Sequence, residues 1–256
     1  MSDEVLYEAD GRVATITLNR PAQRNAVNPE LATALSESME RLEADLEVWG
    51  AVLTGAGETF SAGADLKAIA AGRAAELSAG RGGFAGFVAF PRTKPIIAAV
   101  RGFALAGGLE LVLACDIVVA ARDSTFGLPE VTRGIVASAG GLFRLPRAIP
   151  PARALELILT GGRLGAEEAH RLGLFNHLVE GGEVLPTALR VARGICENAP
   201  LAVRESLALA RAAAELTEED GWRRSAEAGA RVHRSDDARE GPRAFAEKRR
   251  PQWRGR

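Results

Sequence analysis

Three short runs of almost unbroken apolar residues most constrain what this chain can become. They are Ala51-Val52-Leu53-Thr54-Gly55, residues 95–100 and residues 117–120. Each is short and apolar, and the first is closed by Gly55, so each reads as a buried strand. Val13-Ala14-Thr15-Ile16-Thr17-Leu18 alternates and predicts a further strand, ended by Asn19-Arg20-Pro21 because proline lacks a ladder donor. Asn28-Pro29 forms an N-cap signal with proline in the first turn. Leu31, Leu35, Met39, Leu42 and Leu46 follow at helical spacing and predict one buried stripe. Beyond residue 150 the pattern changes to helices, over 153–159, 166–172, 184–198 and 200–213. The front is therefore α/β and the back third mostly helical. The glycine-rich stretch 78–86 reads as a mobile loop or a weak helix.

With 256 residues, 47% of them hydrophobic, the chain can bury one large domain, with or without a small appendage. A net charge of -1 gives no whole-chain reason to expect a nucleic acid or a membrane surface as partner. The acidic start lacks the basic and apolar parts of a secretory signal, and no apolar run reaches membrane-span length. Cys115 and Cys196 read as free thiols of a reducing cytoplasm. No serine elbow, His-Glu-x-x-His or zinc-spaced cysteine pair is present. The histidines, His170, His177 and His233, lie outside the glycine-rich segments. Any chemistry must rest on carboxylates and backbone.

Three segments carry that possibility. In Thr59-Phe60-Ser61-Ala62-Gly63-Ala64-Asp65-Leu66-Lys67, small residues let backbone N–H groups approach a ligand, although spacing alone favours a plain strand-to-helix turn. In Ala106-Gly107-Gly108-Leu109-Glu110-Leu111, two glycines open a helix whose start presents free N–H groups suited to an oxyanion. Glu110 sits there among leucines and valine, where desolvation favours the neutral acid. It serves equally as a charge complementing the helix dipole. In Phe126-Gly127-Leu128-Pro129-Glu130 a carboxylate follows a chain reversal, which fits either a functional mount or a surface turn.

Taken in order, these segments resemble the enoyl-CoA hydratase/isomerase (crotonase) family. Asn19-Arg20-Pro21 with Arg24-Asn25-Ala26 is similar to its N-terminal signature, and Glu240-Gly241-Pro242-Arg243-Ala244-Phe245 to its tail. The resemblance implies a spiral of strand–strand–helix units over residues 1–195 and a helical trimerisation region over 196–256. It implies a cytoplasmic enzyme of fatty acid β-oxidation type, without metal or cofactor. Its partners would be an acyl-CoA thioester and copies of itself in a homotrimer or homohexamer, with no nucleic acid and no membrane.

By the same resemblance, the N–H groups of Ala64 and Gly107 form an oxyanion hole for the thioester carbonyl. Glu110 activates water and Glu130 protonates C2 of a trans-2-enoyl-CoA, giving a 3-hydroxyacyl-CoA. Arg24, Ala26, Ala62, Asp65, Leu66, Lys67 and Gly108 bind substrate. Arg243, Lys248, Arg249 and Arg250 approach a neighbour's coenzyme A phosphates or are simply solvated, and Phe84, Phe87, Phe90 and Trp222 line the acyl pocket. Three departures mark this chain: Ala106 stands where a third glycine is usual, Leu128 where glutamine is usual, and residues 135–141 replace Ile-Pro-Gly-Ala-Gly-Gly. The last resembles hydratases of bulky acyl groups and also carnitinyl-CoA dehydratases. An isomerase, and a non-catalytic acyl-CoA- or RNA-binding member, are the other readings.

Overall fold

The structure is a computed structural model and describes residues 3–255. Its strands are β1 (Val5–Asp10), β2 (Val13–Leu18), β3 (Gly50–Gly55), β4 (Ile96–Val100), β5 (Phe103–Leu105), β6 (Ile117–Ala121), β7 (Thr125–Gly127), β8 (Arg163–Gly165) and β9 (His177–Val179). One sheet has the order β1-β2-β3-β4-β6-β9, parallel except for the β1–β2 pair. A smaller sheet has the order β5-β7-β8. The helices are α1 (Pro29–Ala44), α2 (Leu66–Ala70), α3 (Gly107–Leu113), α4 (Gly141–Ala148), α5 (Pro151–Thr160), α6 (Ala166–Arg171), α7 (Val184–Cys196), α8 (Pro200–Ala212), α9 (Glu218–His233) and α10 (Asp236–Ala246).

The apolar runs become strands of the large sheet because they are buried on both faces. Along β4, Ile96, Ala98 and Val100 face the main core, while Ile97 and Ala99 face a second cluster. That second cluster is closed by Val184, Ala188 and Ala192, so α7 covers the outer face of the sheet. The inner face meets α1 through Leu31, Leu35, Met39 and Leu42, all fully buried. The α1 cap is as the sequence predicts: the Asn28 side chain accepts from Leu31 N–H at 2.9 Å.

The chain forms the expected spiral of strand–strand–helix turns. One turn is β4, β5, α3; the next is β6, β7 and the 3-10 turn Pro129–Arg133. Successive turns stack in register in the second layer. Val27 bridges Ala64, Ser61 bridges Ala104, Ala104 pairs with Phe126, and Phe126 with Leu164. Val27, Ser61, Ala104, Phe126 and Leu164 are all buried. Strands as short as β5 and β7 hold only because neighbouring turns supply their hydrogen-bond partners, which is why local pattern did not reveal them.

Other expectations shift. Helix α1 stops at Ala44, leaving Leu46 79% exposed and outside the stripe. The buried Lys94 ammonium donates to the carbonyls of Leu42 and Asp45, satisfying the helix end from a distant segment. Residues 78–86 form neither a helix nor an open loop, but a turn closed by the Ser78–Phe84 bridge. At the back, α8 is tied to the core by Arg211, which pairs with Asp116 at 2.6 Å beside the Arg92–Asp116 pair. Helix α9 buries none of its residues. Among the described residues no helix is long and apolar enough to cross a membrane.

Truncating Ile97, fully buried between sheet and α7, should destabilise the protein. Ile97→Ala is expected to lower the unfolding free energy by about 2–5 kcal/mol in urea titrations.

Candidate active site

The three chemistry-bearing segments fall at equivalent points of successive turns. Residues 62–65 follow the bridge at Ser61, residues 106–110 follow β5, and Pro129–Glu130 follow β7. They line one cavity of about 1400 Å³. Among its walls are Arg24, Ala26, Ala62, Ala64, Asp65, Leu66, Lys67, Gly107, Glu110 and Glu130. Gly108 is the exception: it is buried and not part of the wall. A Cβ there would lie 2.3 Å from the Ser61 carbonyl oxygen, so Gly108 packs α3 against the preceding turn rather than meeting a ligand.

Close backbone approach makes the centre of the site. Gly63 has φ +88°, and a Cβ on it would stand 2.7 Å from Gly107 N and 2.8 Å from the Ala106 Cβ. Only glycine lets the Gly63–Ala64 and Ala106–Gly107 segments come this near. Among the described residues, no hydrogen bond is drawn from the N–H of Ala64 or of Gly107. Val27 instead donates to the Gly63 carbonyl and accepts from Asp65 N–H, leaving Ala64 between them. Ala106 adopts φ +52°, ψ -130°, a region that costs an L-residue energy. Its backbone is held from both sides: its N–H donates to Gly127 at 2.9 Å and its carbonyl accepts from Leu109 and Glu110.

The two carboxyls are both buried, Glu110 3% and Glu130 6% exposed. Oε1 of Glu110 accepts from Gly141 N–H at 2.9 Å. Burial pushes the Glu110 carboxyl up to about 7, against the hydrogen bond from Gly141 and with the help of the Glu130 charge. Burial likewise raises Glu130, opposed by its own backbone N–H and by Arg133. Oε2 of Glu130 is buried with no hydrogen-bond partner, and the neighbouring Leu128 is a buried apolar side chain with no donor to offer. The Glu130 charge acts on Glu110 in the direction that favours its neutral acid.

At the cavity mouth, Arg24 and Lys67 are exposed, and the Arg24 carbonyl accepts from Ala62 N–H at 2.9 Å. Asp65 is at the wall, but its carboxylate caps α2 through Lys67 N–H and pairs with Arg20 at 3.1 Å. Its oxygens serve the fold first. The remaining walls are largely apolar: Leu77, Phe84, Val88, Ile135, Val136 and Phe143. Of the aromatic residues expected there, only Phe84 takes part; Phe87 and Phe90 are core residues, and Trp222 is 71% exposed on α9. In the basic tail, Arg243 and Arg249 are ion-paired within the chain to Glu247 and Glu240. Trp253 donates to the Glu197 carbonyl at 2.7 Å. Arg144 is a wall residue that site reasoning passed over. Its signal was present: a lone charge among Leu142, Phe143 and Leu145, as Glu110 is among leucines. Among the described residues no three His, Cys, Asp or Glu side chains gather as a metal site would need.

This fold has known counterparts. The chain belongs to the enoyl-CoA hydratase/isomerase family, whose sequence profile matches residues 8–256. It is 43% identical over 263 residues to a carnitinyl-CoA dehydratase of Salmonella typhi, covering all of both chains. The crystal structure of an enoyl-CoA hydratase from Mycobacterium tuberculosis H37Rv superimposes with a TM-score of 0.95 at 47% identity, again over both full chains. A carnitinyl-CoA hydratase from Mycobacterium avium matches with a TM-score of 0.77 at 45% identity over both full chains.

Two stability predictions follow from the site's strain. Ala106→Gly should relieve a cost of about 1–3 kcal/mol at the price of about 0.5–1 kcal/mol in chain entropy. The net gain should raise Tm by roughly 2–4 °C in a thermal melt. Glu110 is a group whose proton affinity is raised on folding, so its ionisation opposes folding. Between pH 4.5 and about 7 the unfolded chain loses the proton before the folded one does, and stability falls. Glu110→Gln should therefore stabilise the protein by on the order of 3 kcal/mol at pH 8, and by little at pH 4, in denaturant titrations.

Proposed function

We propose that this protein hydrates the 2,3 double bond of a trans-2-enoyl-CoA to a 3-hydroxyacyl-CoA. The observation that carries this reading is the pair of buried carboxyls, each with raised proton affinity, in one cavity with the Ala64 and Gly107 backbone. The thioester carbonyl is held by the N–H groups of Ala64 and Gly107. As water adds at C3, that oxygen gains enolate charge, and two fixed donors in a partly dry site stabilise it more than the ground state. Glu110, oriented by Gly141 N–H, takes the proton from water. Glu130 delivers a proton to C2. The pair shares one proton in its working form, held on Glu130 when substrate reacts.

Arg24 and Lys67 lie at the mouth, where coenzyme A phosphates would need cations, while Ala26, Ala62 and Leu66 form an apolar edge for the adenine. The reaction as written needs no metal or separate cofactor, because coenzyme A arrives with the substrate. We assign residues 1–195 to the spiral core and 196–256 to subunit association as a homotrimer or homohexamer. The support is α9, which buries nothing, and the exposed Trp222 and Phe245. Two free thiols fit operation in a reducing cytoplasm.

A second reading, dehydration of a carnitinyl-CoA, is favoured by the names of the Salmonella typhi and Mycobacterium avium relatives. That acyl group carries a quaternary ammonium, which aromatic faces or carboxylates recognise. Here the aromatic walls are Phe84 and Phe143, and the cavity carboxylates are Glu110, Glu130 and the Arg20-bound Asp65. A neutral, apolar acyl group suits Ile135, Val136 and Val88 better.

Purified protein should remove the conjugated absorbance of crotonyl-CoA or of longer, branched or steroid-side-chain enoyl-CoAs. Glu130→Gln should lower kcat by about 10²–10⁴-fold. Turnover of carnitinyl-CoA alone would select the second reading. Isomerisation of a 3-enoyl-CoA surviving in Glu110→Gln, with hydration lost, would mean that the protein does both, with isomerisation working through Glu130. Tight acyl-CoA binding without turnover of any substrate would make it a binding protein.

A further inference from the structure

Arg144 lies on α4, whose start is the Gly140–Gly141 turn, and it borders the same cavity as Glu110. Its Nη2 donates to the Val88 carbonyl at 2.7 Å. Its Nη1 is buried with no hydrogen-bond partner. Among the described residues it forms no ion pair, although its guanidinium lies 5.3 Å from the Phe143 ring. A half-buried cation without a countercharge is costly unless the field it creates is used.

The turn connects this cation to Glu110. Gly140 has φ +112°, and a Cβ on it would stand 2.6 Å from Nη1 of Arg144, so the guanidinium is folded against that glycine. The next residue, Gly141, donates to Oε1 of Glu110, and a Cβ on it would stand 3.1 Å from that oxygen. One dipeptide therefore contacts the cation on one residue and the carboxyl on the next. Neither glycine leaves room for a side chain to intervene.

We propose that Arg144 is a positioning residue for Glu110, its guanidinium and the Gly140–Gly141 turn folded on it together fixing the charge and the place of that carboxyl. The proposal rests on the reading of Glu110 as the group that takes the proton from water. The charged groups facing Glu110 are Glu130, from the 3-10 turn after β7, and Arg144. Those facing Arg144 are Arg92, Arg147, Cys115 and Glu110. Arg92 is paired with Asp116, which it shares with Arg211, and burial keeps the Cys115 thiol protonated. Arg144 is thus the cation that opposes both burial and the Glu130 charge at Glu110.

The test compares Arg144→Gln, which keeps a donor for Val88 but no charge, with Arg144→Lys, which keeps the charge. The Glu110 carboxyl is followed by carbon-13 NMR of glutamate-labelled protein, its signal identified by its loss in Glu110→Gln. In Arg144→Gln the Glu110 midpoint should rise above its wild-type value, and the kcat/KM–pH profile should move to higher pH with it. Arg144→Lys should move both by less than half as much. If Arg144→Gln does not fold, Arg144→Met provides the same neutral arm. A Glu110 midpoint unchanged in the neutral variant, or moved equally by lysine and glutamine, overturns the proposal. Full activity in Glu110→Gln would instead overturn the role of Glu110 itself, while the NMR midpoints would still report whether Arg144 acts on it.

Discussion

The register between successive turns in the second layer is the constraint on which the site depends. Ser61 N–H donates to Phe103, Leu105 N–H to Ser61, Thr125 N–H to Gly102 and Ala106 N–H to Gly127. These bonds hold segments too short to be stable alone. They also place the residue groups that leave each segment side by side. Ala64, Gly107 with Glu110, and Glu130 come from three consecutive turns, and they line one cavity because each turn repeats the same path. A slip of one residue in the second layer would turn the buried Ser61, Ala104 and Phe126 outward and scatter the site at once.

That arrangement is bought with local instability. Two carboxyls are removed from water, and the Glu130 charge adds to the burial that raises the proton affinity of Glu110. Ala106 holds a conformation that favours glycine, and Glu130 leaves an oxygen buried without a partner. Each cost is tolerated because the surrounding large sheet, packed on one face by α1 and on the other by α7, supplies a deep apolar core. The strained Ala106 and the unsatisfied Glu130 oxygen both lie at the cavity where the chemistry is proposed.

Much of the scaffold was legible in the sequence. The buried strands, the Asn28 cap, the α1 stripe and the four later helices follow from local apolar period and capping chemistry, both of which act within a few residues. The same reasoning missed β5, β7, β8 and β9, because strands of three residues owe their existence to partners far along the chain. It carried α1 too far, since the group that ends it, Lys94, is fifty residues away. It placed Phe87 and Phe90 at the pocket, because aromatic composition does not say which face of a turn points inward. Gly108 was read as a ligand contact because two adjacent glycines look alike until the backbone path shows which one faces the cavity.

By itself, then, the sequence determined that the chain is α/β with a helical back third, and it offered Glu110, Glu130 and glycine-flanked backbone as the candidates for any chemistry. It did so because periodicity, and a charge set among leucines, are local signals. Only the tertiary structure decided that the three segments share one cavity and that Gly63 brings two backbone stretches together. It alone decided that Glu110 leans on Gly141 with Arg144 behind the same turn. Those facts depend on the stacking of turns separated by tens of residues, and a carboxyl's proton affinity is set by what surrounds it in space rather than by its neighbours in the chain.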